Sequence, residues 1–174
     1  MLPADTPKAN FSHVLVYTSS TLAEQTTPAY LSLVDLVGRA ANLSFADQDL
    51  DQNQIGGLLR WDPPSNIGPV TDYYIYISED MLGSNRSYVG NTAVGVNQLL
   101  IPADTSVPDM AYLLVFATSR LQEQTTPAAL AVFDRSSSVS QVAFTDYDLD
   151  SEEIGGNVSW TEPVDQEQVE APSL

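Results

Sequence analysis

Residues 45–61 read FADQDLDQNQIGGLLRW and residues 144–160 read FTDYDLDSEEIGGNVSW, so one framework occurs twice at an offset of 99 positions. Both copies keep a phenylalanine, three alternate aspartates, an Ile-Gly-Gly tripeptide and a tryptophan. The offset extends outward, because laying residues 1–66 on residues 100–165 without a gap gives 26 identities in 66 positions. A fixed period over that length indicates an internal duplication. Residues 67–99 have no second copy.

The composition is that of an acidic protein that folds. Of 174 residues, 43% are hydrophobic and 17% are charged, which is typical of one or two globular domains. The net charge of −17 argues against binding to nucleic acid or to anionic membrane surfaces, because basic side chains supply the attraction in both cases. The chain has no cysteine for disulfide or thiol chemistry. It also has no apolar run long enough to insert across a bilayer.

Short apolar runs separated by turn residues predict β-strands throughout the chain, and no stretch has helical periodicity. In the clearest run, Tyr73, Ile75 and Ile77 alternate with two further tyrosines, which places the two groups on opposite faces of a strand. Residues 40–136 contain about seven such runs. The pattern therefore predicts an all-β fold, an antiparallel β-sandwich.

The repeat divides the chain into one complete unit and two partial ones. Residues 40–136 form the predicted complete domain, which we call the central unit. Residues 1–37 match its C-terminal strands, with one strand ending within residues 1–6, and residues 139–163 match its first two strands. Residues 164–174 form an acidic tail that we expect to be disordered. We expect the chain to be a piece of a longer array of tandem repeats.

The order of sequence marks in the central unit resembles the fibronectin type III family. Trp61 ends the second strand ahead of Pro63-Pro64, Val70–Tyr76 forms the third, and a strand bearing Tyr112 precedes a Pro-led last strand. Trp61, Tyr73 and the Tyr112 strand match core positions of that family. The Ile-Gly-Gly motif resembles a variety of these repeats in very large repetitive proteins of unicellular algae. The resemblance implies an immunoglobulin-like β-sandwich in tandem repeats.

The resemblance also implies a function. We expect a structural or adhesion module of an extracellular or cell-surface protein, which acts as a spacer or mediates protein–protein contacts. Other protein chains are the expected partners, including self-association through the two partial repeats. Residues 122–126 contain no Arg-Gly-Asp, so integrin binding is not implied. The aspartate-rich turn at residues 47–51 is not part of the usual family pattern.

Two aspartate triplets are the candidate metal ligands: Asp47, Asp49 and Asp51, and Asp146, Asp148 and Asp150. Alternating carboxylates in a turn can converge on Ca²⁺, which takes about six to eight oxygen ligands. The motif is not an EF-hand, because Gln52 and Ser151 stand where that loop needs glycine. Aspartate also favours turns by accepting hydrogen bonds from nearby backbone. Calcium binding and turn formation are therefore alternatives.

Two features of the sequence concern carbohydrate, one as an attached glycan and one as a ligand. Four Asn-x-Ser sequons predict N-glycosylation and a secretory history, at Asn10, Asn42, Asn85 and Asn157. Tyr74 and Tyr76 are predicted on the outer face of a strand, where they could stack on a glycan. Cross-strand pairing with neighbouring side chains is the alternative role for these tyrosines.

The sequence contains no catalytic signature. His13 is the only histidine and its counterpart in the repeat is Tyr112, so we expect a packed strand residue rather than a base or ligand. Without cysteine, and with that histidine replaced in the other copy, a nucleophile–base pair lacks its parts. Gly56-Gly57 lacks the lysine and helix of a phosphate loop, and predicts a strand bulge or close sheet packing. We expect a non-enzymatic protein without an obligatory cofactor.

Overall fold

The computed structural model describes residues 2–170, which form strands and turns without a helix. The all-β class is therefore confirmed for that part of the chain. In order, the strands are β1 (His13–Val16), β2 (Ala29–Ser32), β3 (Ala41–Ser44), β4 (Gln54–Asp62), β5 (Val70–Ser78), β6 (Ser87–Ala93), β7 (Gln98–Ser106), β8 (Tyr112–Ser119), β9 (Ala128–Ala131), β10 (Ser140–Phe144) and β11 (Val158–Thr161).

Seven strands build the central unit as two antiparallel sheets. One sheet has the order β3-β4-β7, and the other has the order β6-β5-β8-β9. Side chains from both sheets share one hydrophobic core, in which Ile55 and Trp61 of β4 meet Tyr73 and Ile75 of β5. The Trp61 ring lies edge-on to the Tyr73 ring at a centroid distance of 5.5 Å. The predicted antiparallel, sandwich-like arrangement is therefore present.

The alternation predicted for β5 is also correct. Tyr73, Ile75 and Ile77 are buried, whereas the two intervening tyrosines are only partly covered and lie on the other face. Strand β8 is buried on both faces, because the loop 79–86 covers its outer side. A Cβ atom on Gly83, which has φ +90°, would lie 3.2 Å from Leu114 Cδ1. This loop therefore depends on a glycine at that position.

Two hairpins flank the central unit and repeat its pairing registers. Strands β1 and β2 pair in the same register as β8 and β9, displaced by 99 residues. Strands β10 and β11 likewise reproduce the register of β3 and β4, including its irregularity. Within residues 2–170, neither hairpin packs on a strand other than its own partner. The local sequence therefore sets the register even where no second sheet covers the hairpin.

The prediction of a strand within residues 1–6 is wrong for the described residues, because residues 2–7 form turns and irregular backbone. Their counterpart in the central unit is the end of β7, which pairs with β4. No strand in residues 2–170 lies beside residues 2–7, so their backbone has no ladder to join. The predicted disordered tail falls partly outside the described residues.

Candidate functional site at the aspartate turns

The first aspartate turn, residues 47–51, closes over the Ile-Gly-Gly motif through its own carboxylates. Asp47 Oδ1 accepts hydrogen bonds from the N–H groups of Asp49 at 3.1 Å and Gly56 at 2.9 Å. Asp49 Oδ1 accepts one from the N–H of Asp51 at 3.0 Å. Asp47 is only 2% exposed, so its charge depends on these donors in place of water. The first two aspartates therefore shape the turn itself.

The same turn is also bonded to two other segments of the chain. Four hydrogen bonds, which we call the aspartate clamp, join the turn and the nearby Asn53 to β7 and to the residues after β9. They run from Arg135 N to Asp47 Oδ2 (3.0 Å), from Asp104 N to Asp49 Oδ2 (2.6 Å), from Ser137 N to Leu50 O (2.9 Å) and from Asn53 N to Asp134 Oδ2 (2.8 Å). Because N–H bonds to carboxylates are stronger than neutral ones, this is a firm attachment.

The two glycines after the turn are explained by close approach of backbone. A Cβ on Gly56 would lie 2.9 Å from Ala103 Cα, and one on Gly57 would lie 2.6 Å from Ala46 O. Gly57 also has φ +142°, which side chains disfavour. The pairing of β4 with β7 shifts register between Ile55 and Gly57. Two steps along β4 face four steps along β7 there, so the extra residues belong to β7, and close packing rather than a bulge of β4 accounts for the glycines.

The second aspartate turn, residues 146–150, has the same internal geometry. Asp146 Oδ1 accepts the N–H groups of Asp148 at 3.0 Å and Gly155 at 2.9 Å, and Asp148 Oδ1 accepts that of Asp150 at 3.0 Å. In the described part of the chain, no donor takes the place that Arg135 and Asp104 occupy at the first turn. This turn therefore presents half of a clamp.

The predicted calcium ligands come together only in part. Carboxylate oxygens of Asp49, Asp51 and Asp104 lie within 4.8 Å of one another, and Asp148, Asp150 and Glu153 form a matching group. Both oxygens of Asp47 already accept backbone N–H groups, and so do both oxygens of Asp49. Backbone donors thus supply the positive partners that a cation would otherwise supply. Calcium binding stays a prediction, and the bonds favour turn formation.

The residues after β9 are also held from the C-terminal side. The Arg135 guanidinium lies 3.1 Å from the Asp165 carboxylate and 2.6 Å from that of Glu167. The Ser137 hydroxyl donates to the Asp165 carbonyl oxygen. Residues 135–137 are therefore bonded to the first aspartate turn on one side and to residues 165–167 on the other.

An aromatic cluster lies on the outer face of the four-stranded sheet. The Tyr88 ring lies 6.1 Å from the Tyr74 ring and 5.8 Å from the Tyr76 ring, so the cross-strand alternative describes these tyrosines. The Arg86 guanidinium lies 4.2 Å from the Tyr76 ring centre and 2.6 Å from Glu123. Burial and the hydrogen bond that Tyr76 donates to Glu123 raise the pKa of Tyr76 to about 12.

The remaining predicted residues lie apart from these groups. The four sequon asparagines are all exposed, and their glycosylation stays a prediction. His13 is exposed on β1, where its ring lies edge-on to Tyr30 at 5.6 Å and its Nδ1 lies 2.8 Å from Ser12 Oγ. It packs on a neighbouring strand as predicted, but without burial.

Comparison with protein-family models, curated proteins and solved structures finds no match to this chain. In the described part of the chain there is no helix that could span a membrane.

The clamp partners were not identified from the sequence. Asp104 and Asp134 carried a usable signal, because both recur in the other copy as Asp5 and Asp35. Arg135 carried none, since its counterpart is Leu36 and its backbone N–H rather than its side chain makes the bond to Asp47. Side-chain identity cannot reveal a contact made by the backbone.

Proposed function

We propose that this chain is a non-enzymatic structural module built from fibronectin type III-like repeats. Its role is that of a spacer, and of a contact surface for other protein chains, within an extracellular or cell-surface array. The division of the central unit into sheets of three and four antiparallel strands supports the family resemblance. The recurrence of both hairpin registers at an offset of 99 residues supports the repeat.

The bonded junction carries the proposal. Units joined by a free linker reorient independently, whereas a spacer needs a defined angle between neighbours. Here residues 135–137, at the boundary between the central unit and residues 139–163, donate backbone N–H groups to the first aspartate turn through Arg135 and Ser137. Their side chains bond residues 165–167, which follow residues 139–163 in the chain. These bonds on both sides support a junction of defined geometry.

The test measures that rigidity by small-angle X-ray scattering of the whole chain. The variant Arg135→Ala keeps the N–H that bonds Asp47 but loses the guanidinium contacts to residues 165–167. We expect a broader distribution of interatomic distances and a larger maximum dimension for this variant. Arg120→Ala is the control, since it makes the same charge change at an exposed residue. Equal scattering curves for the two variants would contradict a junction held by Arg135.

Calcium binding is the alternative function, favoured by the approach of the Asp49, Asp51 and Asp104 carboxylates within 4.8 Å. A ligand that binds only the folded state raises the unfolding temperature. On this alternative, millimolar CaCl₂ raises the midpoint of the parent chain, and the rise is lost in Asp51→Asn. An unchanged midpoint of thermal unfolding, together with no heat in a calorimetric titration, would exclude calcium binding.

A further inference from the structure

The two flanking hairpins expose residues that the central unit buries. Val16 of β1 is 62% exposed, whereas its counterpart Val115 of β8 is 0% exposed. Ile154 is 78% exposed, whereas its counterpart Ile55 is 0% exposed. Apolar strand faces of this kind mark interaction surfaces. The central unit shows what covers them, because β8, β9 and the end of β7 pack there against β3 and β4 in one core.

The two flanking segments also carry complementary halves of the aspartate clamp. Residues 139–163 hold the acceptor turn, with the second oxygens of Asp146 and Asp148 free of backbone donors within the described residues. Residues 2–38 hold the positions that correspond to the donors and to the Asp134 carboxylate. These positions are Asp5, Leu36, Gly38 and Asp35, which match Asp104, Arg135, Ser137 and Asp134.

We propose that residues 2–38 of one copy of this chain bind residues 139–163 of a second copy. The two segments then form a composite sandwich of β1, β2, β10 and β11, to which residues 2–7 add a fifth strand on binding, and the aspartate clamp closes it. The expected bonds join the N–H of Asp5 to Asp148 and the N–H of Leu36 to Asp146. This inference rests on the repeat that underlies the proposed function, but it concerns a different part of the molecule from the junction at Arg135.

Particular positions of the binding parts already have the conformation found in the completed clamp. Asp5 has φ 55° where Asp104 has φ 59°, and Glu152 has φ 66° where Asn53 has φ 64°. The Thr6 hydroxyl donates to Pro3 O at 2.7 Å, as that of Thr105 does to Pro102 O at 2.6 Å. A preorganised surface loses less conformational entropy on binding than a flexible one does.

Pairing between copies fits the structure better than closure within one chain. Within residues 2–170, β1 and β2 make no contact with β10 and β11, and the central unit separates them along the chain. The contact joins different surfaces of the two copies, so it is heterologous and extends head to tail. Within residues 2–170 the composite has no counterpart of β5, so the β1 edge stays unpaired in this chain and association requires high protein concentration.

Sedimentation equilibrium across a concentration series tests the clamp in the whole chain. The variant Asp146→Asn/Asp148→Asn keeps one oxygen per side chain for the hydrogen bonds within the turn. It replaces the other oxygen with an amide NH₂ group, which cannot accept a hydrogen bond from the backbone N–H of the second copy. We expect the parent chain to associate and this variant to associate at least about tenfold more weakly, as loss of charged hydrogen bonds implies. Asp150→Asn, which removes a carboxylate outside the clamp, should associate like the parent. A parent that stays monomeric, or a double variant that matches Asp150→Asn, overturns the proposal.

Disulfide trapping tests the register, since the native chain has no cysteine. Ile55 and Thr105 are register partners in β4 and β7, and their counterparts are Ile154 and Thr6. A mixture of the single variants Thr6→Cys and Ile154→Cys should form a covalent heterodimer under mild oxidation. A mixture of Leu22→Cys and Ile154→Cys is the control, because Leu22 lies in an exposed turn. Equal yields in both mixtures would refute the register, while the scattering test at Arg135 remains unaffected.

Discussion

At the scale of single residues, position within a unit decides what a side chain contributes. Trp61 and Trp160 are counterparts in the repeat, yet Trp61 is packed in the core and Trp160 is only partly covered. Trp160 instead donates its indole N–H to Glu162 at 3.0 Å. The two copies therefore supply matched pairs, in which the same substitution is made in a covered and in an uncovered site.

Trp61→Ala should lower the free energy of unfolding of the central unit by roughly 3–5 kcal/mol, as truncation of large core side chains does. Chemical denaturation followed by circular dichroism measures the loss. Trp160→Ala is the matched control and should change the same transition by less than about 0.5 kcal/mol, as substitutions at uncovered positions do. Equal losses in both variants would mean that the C-terminal hairpin unfolds together with the central unit.

Gly57→Ala should destabilise the central unit by roughly 1–3 kcal/mol, because it adds a side chain at a positive φ next to a carbonyl oxygen. Gly156→Ala introduces a similar contact with Thr145 O in the second copy. It should leave the unfolding of the central unit unchanged, since β10 and β11 do not pack on it. Thermal unfolding of both variants makes the comparison.

Ionisation of the Tyr76 hydroxyl should make the free energy of unfolding depend on pH in the alkaline range. Its pKa is about 12 in the folded chain and near 10.0 when unfolded, so the folded state holds the proton more tightly. This contribution is fully present below pH 10 and is lost as the pH rises toward 12. Tyr76→Phe should therefore show a smaller fall in unfolding temperature over that interval. Parallel slopes for parent and variant would contradict the role of the bond to Glu123.

At the scale of elements, the sequence predicted strands and faces well, because alternation of apolar residues is a local signal. The inward set Tyr73, Ile75 and Ile77 is one example, and the close packing at Gly56-Gly57 is another. It did not predict the irregular backbone of residues 2–7, since a strand also needs a partner that local sequence does not specify. The aspartate turns were found as motifs, but their bonds to Arg135 and Ser137 join residues more than eighty positions apart.

The loop 79–86 should open at low pH. Hydrogen bonds from Ser84, Leu82 and Gly83 lower the pKa of Asp80 to about 2, so the carboxylate stabilises the folded loop above its ordinary pKa of 3.8. That contribution is lost as the pH falls toward 2. Amide hydrogen exchange at Gly83 should accelerate over this interval, and Asp80→Asn should exchange quickly at all pH values. Slow exchange of Gly83 in that variant would show that Asp80 does not hold the loop.

At the scale of the whole molecule, the core belongs to one part of the chain. Every buried hydrophobic side chain of the core lies between Ala40 and Ala128. We therefore expect a fragment of residues 40–138, which retains the Ser137 bond to Leu50, to unfold in one cooperative transition close to that of the full chain. Differential scanning calorimetry makes the comparison. A broad, non-cooperative transition would show that the flanking hairpins are required.

The donors of the aspartate clamp are backbone N–H groups, so the two sides of the clamp differ in how they tolerate substitution. The position that donates to Asp47 is arginine in one copy and leucine in the other, and either residue offers the same N–H group. Only proline would remove it. Arg135 and Ser137 can thus be replaced without loss of their bonds, whereas the accepting carboxylates of Asp47, Asp49 and Asp134 cannot. A duplicated copy can therefore change its side chains at the donor positions and still offer the same bonds, provided that the accepting aspartates stay in place.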